Sequence, residues 1–351
     1  GFDIPTTTDT EDPAHKAYVL WRQQRLFDLW ELWDETIRAV NPEARFIPNS
    51  GGGALSELDM SVMGERCDIL FADRQARRGL APPWLNGKNA KEYRAAMGTK
   101  PIGGIFSVGI EEPYRWKDSV QHGDEIRMWV AEGTANGMRP WYTKFAGYLY
   151  DERWLPVVEE IYTWHYRNER YLRNLAPLAR VAIVYSQQTA WFYGGKEAYK
   201  KVEDHTLGMY QALIEARVPF EMVHDRKLDE VGLAPFKTLI LPNIAALSDE
   251  QCEQLRAFVR RGGSIVATYE TSRYDERGRP RDNLGLADLF GVDVTGEAEG
   301  PLRNAYLHLE HDTQHPLLAG LNDAQHIIYG TRRLPVQARP GAKHEPPPLT
   351  L

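Results

Sequence analysis

Cysteine is scarce: Cys67 and Cys252 are the only two in 351 residues, and they are far apart in sequence. That excludes a disulfide framework and a cysteine metal cluster. Long apolar runs are missing too, so no segment reads as a membrane span. Positive charge is not in excess. Lys and Arg number 42 against 49 Asp and Glu, a net charge of −7, and no long basic run interrupts the pattern. A nucleic-acid partner is therefore not expected. His165, His205 and His224 lack metal-ligand spacing, so neither a metal nor another cofactor is expected. Gly1 to Asp9 shows neither an initiating Met nor a signal peptide and reads as a mid-protein loop. The location expected is cytoplasmic, although this terminus carries little information.

Aromatic residues are plentiful at 11%, with 10 Trp and 17 Tyr. Flat rings pack on the apolar faces of sugars, but they also fill cores and interfaces. Asp12-Pro13 opens a long helix whose apolar stripe is Leu26, Leu29, Trp30, Trp33, Ile37 and Val40, and Asn41-Pro42 ends it. Strands are expected near residues 46, 70, 105 and 142, with helices over 60–65, 90–97 and 124–136 between them. Gly51, Gly52 and Gly53 follow the first strand as a permissive loop able to approach a ligand closely. This βα alternation implies a parallel sheet. The four units make half of a (β/α)₈ barrel, spanning residues 1–176 with the aromatic helix from Trp154 to Tyr171.

Pro177 marks a boundary. Beyond it, strands at 181–185, 220–223, 237–241 and 264–268 alternate with helices at 202–216 and 249–261. Ser248-Asp249 forms the N-cap of the last helix and Gly262-Gly263 its stop. This is a doubly wound, flavodoxin- or amidotransferase-like domain over residues 177–300. No Gly-x-Gly-x-x-Gly follows its first strand, so a dinucleotide site is not expected. Ser186 and Cys252 lack the surrounding glycines of a nucleophile elbow. The domain therefore reads as structural or oligomerising. Residues 301–351 begin a further β-rich segment, with strands at Tyr306 to Leu309 and His326 to Tyr329.

The succession of parts resembles the bacterial β-galactosidases with a trimerisation domain, glycoside hydrolase family 42. The resemblance runs from about Pro13 to Val294 and is carried by the order of segments. Its best-matching runs are Ala179 to Ser186, Tyr210 to Val223, Phe236 to Asn243, Leu247 to Glu250 and Phe258 to Tyr269. In detail the chain is closer to a looser set of glycoside hydrolases with the same two-domain plan, some resembling α-L-fucosidases. The resemblance implies a homo-oligomer, trimer or dimer, acting on a carbohydrate. It also implies one catalytic carboxylate after the fourth barrel strand and another after the seventh. If the strand near 46 is the fifth, that near 105 is the seventh, and Glu111-Glu112 stands at the nucleophile position. The partner carboxylate is then expected upstream of Gly1.

Retaining hydrolysis needs two carboxyl groups about 5–5.5 Å apart, one nucleophile and one acid/base. Glu111 and Glu112 are adjacent and point apart on an extended chain, so they are alternatives for one role. The competing reading is a solvated acidic loop. Tyr114, Arg115, Trp116 and Lys117 follow, mixing rings and cations; a sugar-binding mouth and a packed loop with Arg on Trp both fit them. Trp141 and Lys144 flank the eighth strand end. They fall on opposite faces unless the strand bends, and Lys144 is preferred because a charge after a buried strand needs a partner. Asp73, ending the sixth strand, orients a hydroxyl or pairs with Arg74, and Asn49 after the fifth is a further hydroxyl ligand. The function expected is hydrolysis of terminal galactosyl or fucosyl residues. Two alternatives stay open: a non-catalytic carbohydrate-binding or assembly protein of the same fold, and a hydrolase completed by another chain.

Overall fold

The structure is a computed structural model that describes residues 3–49, 51–110, 119–143, 150–173, 175–309, 315–321, 323–342 and 349–350. Its first part is a parallel sheet of β1 (Leu70–Ala72), β2 (Ile102–Phe106) and β3 (Met138–Tyr142), in that spatial order. Ile105 pairs with Trp141 and Phe106 with Tyr142, so β2 and β3 run level to their carboxyl ends. The outer layer holds α1 (Pro13–Val40), α2 (Met60–Arg66), α3 (Leu85–Met97), α4 (Gly123–Ala135) and α5 (Leu155–Asn168).

Period-two alternation assigns the two faces of the sheet. Leu70, Ala72, Ile102 and Met138 bury against Phe27, Trp30, Met60, Met63, Tyr93 and Met97 of α1 to α3. Phe106 packs against Ile126, Trp129, Val157 and Ile161 of α4 and α5. The opposite face carries Phe71, Gly103, Ile105 and Trp141. The Phe71 ring lies 4.4 Å from that of Trp141. A Cβ on Gly103 would meet Phe71 at 2.3 Å, so glycine is what lets that ring lie across the sheet.

Two expectations for this part are corrected. No strand forms near residue 46: residues 45–49 pair with no strand among the described residues, and β1 is bonded to β2 alone. Phe46 instead packs its ring against Trp30 and Trp33, while Arg45 pairs with Asp68. An extended run becomes a strand only when a neighbour accepts its ladder. The stripe of α1 also differs. The helix buries Val19, Gln23, Phe27 and Trp30, whereas Leu26, Leu29, Trp33, Ile37 and Val40 are exposed. A barrel helix touches a neighbour on each side, and among the described residues α1 has one on a single side.

The second part is a parallel sheet in the order β5-β4-β6-β7, from β4 (Val181–Tyr185), β5 (Phe220–His224), β6 (Thr238–Leu241) and β7 (Ser264–Ala267). It is wrapped by α6 (Asp204–Glu215) and α7 (Asp249–Arg260). Ser248 caps α7 as expected, and Gln251 completes a capping box. β8 (Val292–Val294) pairs with β11 (Val336–Ala338), and β9 (Tyr306–Leu309) with β10 (His326–Ile328), both antiparallel.

A polar seam joins the two parts. Lys88 of α3 donates to Glu92 at 2.6 Å and to Glu203 of the second part at 2.8 Å, all three side chains being buried. Gln187 accepts from the Met60 amide and donates to the Ser56 and Leu58 carbonyls. Trp84 stacks on Tyr210 at 4.9 Å. The glycine loop serves this seam: Gly53, at φ +80°, lies so close to α3 that a Cβ would meet the Glu92 carboxylate at 2.4 Å.

Candidate active site

In a barrel, function gathers where the chain leaves the carboxyl ends of the strands. Parity places Phe71 and Asp73, Ile105 and Ser107, and Trp141 and Thr143 on one face of the sheet, away from the helices. Asp73 and Trp141 therefore come to the same face, and Ser107 joins them. Trp141 is 45% exposed there, a flat ring open to a ligand. Tyr142 turns the other way and stacks on Trp154 at 5.1 Å.

Asp73 does not use Arg74. Its carboxylate accepts from Gln75 Nε2 at 2.9 Å, and the Asp73 backbone bonds to the Tyr93 hydroxyl. Gln75 is buried, and its Oε1 has no hydrogen-bond partner among the described residues. A buried carbonyl without a donor costs about 1–3 kcal/mol, so the position favours any donor brought to it. The Gln75 carbonyl accepts from Ser107 N at 2.8 Å, tying the turn after β1 to the turn after β2. Arg77 forms a two-pronged pair with Glu125 in the first turn of α4, where the helix dipole favours an acid. That pair raises the Arg77 guanidinium further above its usual range.

Asn49 is exposed and stands outside any strand. Glu111, Glu112, Tyr114, Arg115, Trp116, Lys117 and Lys144 lie outside the described residues. Gln75, Ser107 and Gln121 were not anticipated. Their signal is weak, since single polar residues beyond a short apolar strand resemble any loop. Burial pushes the Cys67 thiol up to about 12 and the Cys252 thiol up to about 11, so neither is a nucleophile. Among the described residues no His, Cys, Asp and Glu cluster suits a metal ion, and no helix is long and apolar enough to cross a membrane. A cavity of about 290 Å³ lies between Glu11 and the second part, beside Glu270, Arg273, Tyr274 and Glu297; no residue from the ends of β1 to β3 lines it.

Residues 179–303 match the β-galactosidase trimerisation domain. The exo-β-D-glucosaminidase of Thermococcus kodakarensis is 32% identical over 141 residues, covering 38% of this chain and 17% of that protein. The crystal structure of β-galactosidase from Bacillus circulans sp. alkalophilus superposes with a TM-score of 0.78 at 16% identity, over 92% of this chain and 50% of that one. α-L-Fucosidase isoenzyme 2 from Paenibacillus thiaminolyticus superposes with a TM-score of 0.67 at 20% identity, over 93% of this chain and 46% of that one. The chain thus spans about half the length of these solved structures. Residues 179–303 match the β-galactosidase trimerisation domain, and the chain has the fold of the C-terminal part of a (β/α)₈ barrel followed by such a domain, the fold seen in the solved family 42 β-galactosidases.

Proposed function

We propose that this chain is part of a retaining glycoside hydrolase that removes terminal galactosyl- or fucosyl-type residues. The observation that carries the reading is the strand-end face. Phe71, Ile105 and an exposed Trp141 share one side of the parallel sheet, Asp73 and Ser107 directly follow β1 and β2, and Glu111 and Glu112 come a few residues beyond β2 in sequence. Solved structures of the same fold include β-galactosidases and an α-L-fucosidase, which supports the substrate class.

Glu112, with Glu111 as its alternative, is the nucleophile. Its carboxylate attacks the anomeric carbon as the bond to the leaving oxygen breaks, giving a glycosyl–enzyme ester. A second carboxyl group protonates that oxygen and then takes a proton from the water that hydrolyses the ester. Trp141 stacks on the apolar face of the sugar ring. Asp73 and Asn49 accept hydrogen bonds from sugar hydroxyls. Tyr114, Arg115, Trp116, Lys117 and Lys144 are assigned to sugar binding by residue type. The trimerisation domain supports assembly of a homo-oligomer.

Glu112→Gln and Glu111→Gln in the full-length enzyme test this, assayed on aryl β-galactosides and aryl α-L-fucosides. One of the two is expected to lose about 10³-fold or more in kcat with an unchanged melting temperature. Wild-type turnover in both variants removes this pair from the mechanism.

A further inference from the structure

The cavity of about 290 Å³ beside Glu270 stands apart from the hydrolytic face, and its place in the fold is that of a ligand site. In a doubly wound sheet, ligands bind outside the carboxyl ends of the strands, at the point where the strand order reverses. The order β5-β4-β6-β7 puts that point between β4 and β6. Tyr193 comes after β4, Asn243 after β6 and Glu270 after β7. The three meet: Tyr193 Oη donates to Glu270 Oε2 at 2.5 Å, and Glu270 N donates to Asn243 Oδ1 at 3.2 Å. Tyr269 and Ser272, on either side of Glu270, hold φ of +53° and +66°. Such backbone is unfavourable for residues other than glycine and gathers at ligand sites.

Glu270 is only 7% exposed, and its carboxylate is half used. Oε2 takes the Tyr193 hydroxyl. Oε1 has only the Tyr274 hydroxyl at 3.5 Å among the described residues, beyond the roughly 2.5–3.0 Å of an O–H···O bond. Tyr274 lines the cavity and Tyr193 does not, so Oε1 is the oxygen turned toward it. Burial, and then the Glu270 carboxylate, push the Tyr274 phenol up to about 12, so it is a neutral hydroxyl at neutral pH. Glu11 and Glu297 are exposed and form the mouth. Arg273 adds one cation, held by the Arg281 carbonyl. Three carboxylates against one guanidinium leave the wall with a formal charge of −2.

We infer that this cavity binds a small linear diamine in its diammonium form, one ammonium donating to Glu270 Oε1 at the floor and the other lying at the mouth with Glu11 and Glu297. An ammonium has three N–H donors and no acceptor, which suits a floor of carboxylate and phenol oxygens. Two positive charges complement the wall. The volume is at the small end of ligand pockets, which favours a short diamine over a long polyamine. A metal ion would need several carboxylates converging on one point, and no such cluster occurs among the described residues.

The test is calorimetric titration of the full-length protein with putrescine, with butylamine as the monocation and 1,4-butanediol as the neutral analogue. One putrescine per chain is expected, with a Kd of about 1 mM or below that weakens as salt is raised. Butylamine should bind several-fold more weakly and butanediol not at all. Glu270→Gln keeps an acceptor for the Tyr193 hydroxyl but loses the charge, and should weaken putrescine about tenfold or more. Glu297→Gln, at an exposed position, should weaken putrescine about two- to fivefold and butylamine less. It keeps the test decisive should Glu270→Gln fold poorly. The site is overturned by no saturable binding up to about 10 mM putrescine, by equal binding of butanediol, or by affinity within twofold of wild type in both variants. Glycosidase activity is not read, so the hydrolase reading stands or falls separately.

Discussion

Lys88 offers the sharpest test of how the two parts are joined. Its ammonium lies 2.6 Å from Glu92 and 2.8 Å from Glu203, and all three side chains are more than nine-tenths buried. At an effective dielectric of about 20, each contact at about 3 Å is worth about 5 kcal/mol of Coulomb attraction. Desolvation of the three charges offsets most of it, so the cluster adds little net stability. Removing the cation is another matter. Lys88→Met keeps the apolar stem but leaves two carboxylates facing each other out of water, which costs about 3–5 kcal/mol. Burial already raises the Glu92 carboxyl, opposed by Lys88. Without Lys88 that carboxyl rises further, and a folded state that holds its proton more tightly gains stability as pH falls. The deficit of Lys88→Met in urea unfolding should therefore be largest at neutral pH and shrink toward pH 5. Lys88→Met/Glu92→Gln/Glu203→Gln should come within about 2 kcal/mol of the parent, since no buried charge is left. A Lys88→Met deficit below about 1 kcal/mol, or one independent of pH, would mean that α3 and the second part do not meet as described.

Two further outcomes follow from packing and burial. Gly103→Ala should destabilise by about 1–3 kcal/mol through overlap with Phe71, and Phe71→Leu in the same chain should recover part of it; an unchanged melting temperature for the single variant refutes the packing. His224 is fully buried, accepts from Arg226 N on Nδ1 and faces Gln187 Oε1 with Nε2, so the ring is neutral with its proton on Nε2. Asp225 lies 3.1 Å from Nδ1, but the Arg226 amide occupies that nitrogen and the contact is not an ion pair at neutral pH. Burial outweighs Asp225 and lowers the ring's basicity. A depressed histidine takes up its proton in the unfolded chain first, so stability falls as pH drops through about 6.5, by up to about 1.4 kcal/mol per pH unit. Urea midpoints at pH 7 and 5 should show this slope, and His224→Gln should flatten it; equal slopes in both proteins refute the assignment.

Where an element makes its own contacts, its residues announced it. The second part has strands buried by helices on both faces, a Ser248 cap and a double-glycine stop, so its elements fall within a few residues of where the pattern puts them. β2 and β3 were legible for the same reason. Residues 45–48 were not, because Arg45 and Phe46 satisfy themselves on Asp68, Trp30 and Trp33 without a ladder. The stripe of α1 misled because the helix has apolar residues on two faces. Hydrophobic periodicity counts both, while only the face bearing Val19, Phe27 and Trp30 finds a core. β8 escaped notice as well: three residues after Gly291 carry too little pattern, and their partner β11 lies more than forty residues on.

At the candidate site, alternation along a strand carried most of what could be known. It separates Trp141 from Tyr142, and the packing of Tyr142 on Trp154 and of Trp141 on Phe71 then shows which face is which. Asp73 and Ser107 inherit their side from Phe71 and Ile105 by the same parity. Gln75 has a local partner in Asp73, whereas nothing local foretells Gln121 or the bond from Ser107 N to the Gln75 backbone carbonyl, whose partners lie more than ten residues away. Their places depend on the register of β1 against β2, which is a property of the sheet. Residue types thus point to a strand end as the seat of chemistry, whereas the hydrogen bonds that tie the turns after β1 and β2 to each other emerge only when neighbouring strands are aligned.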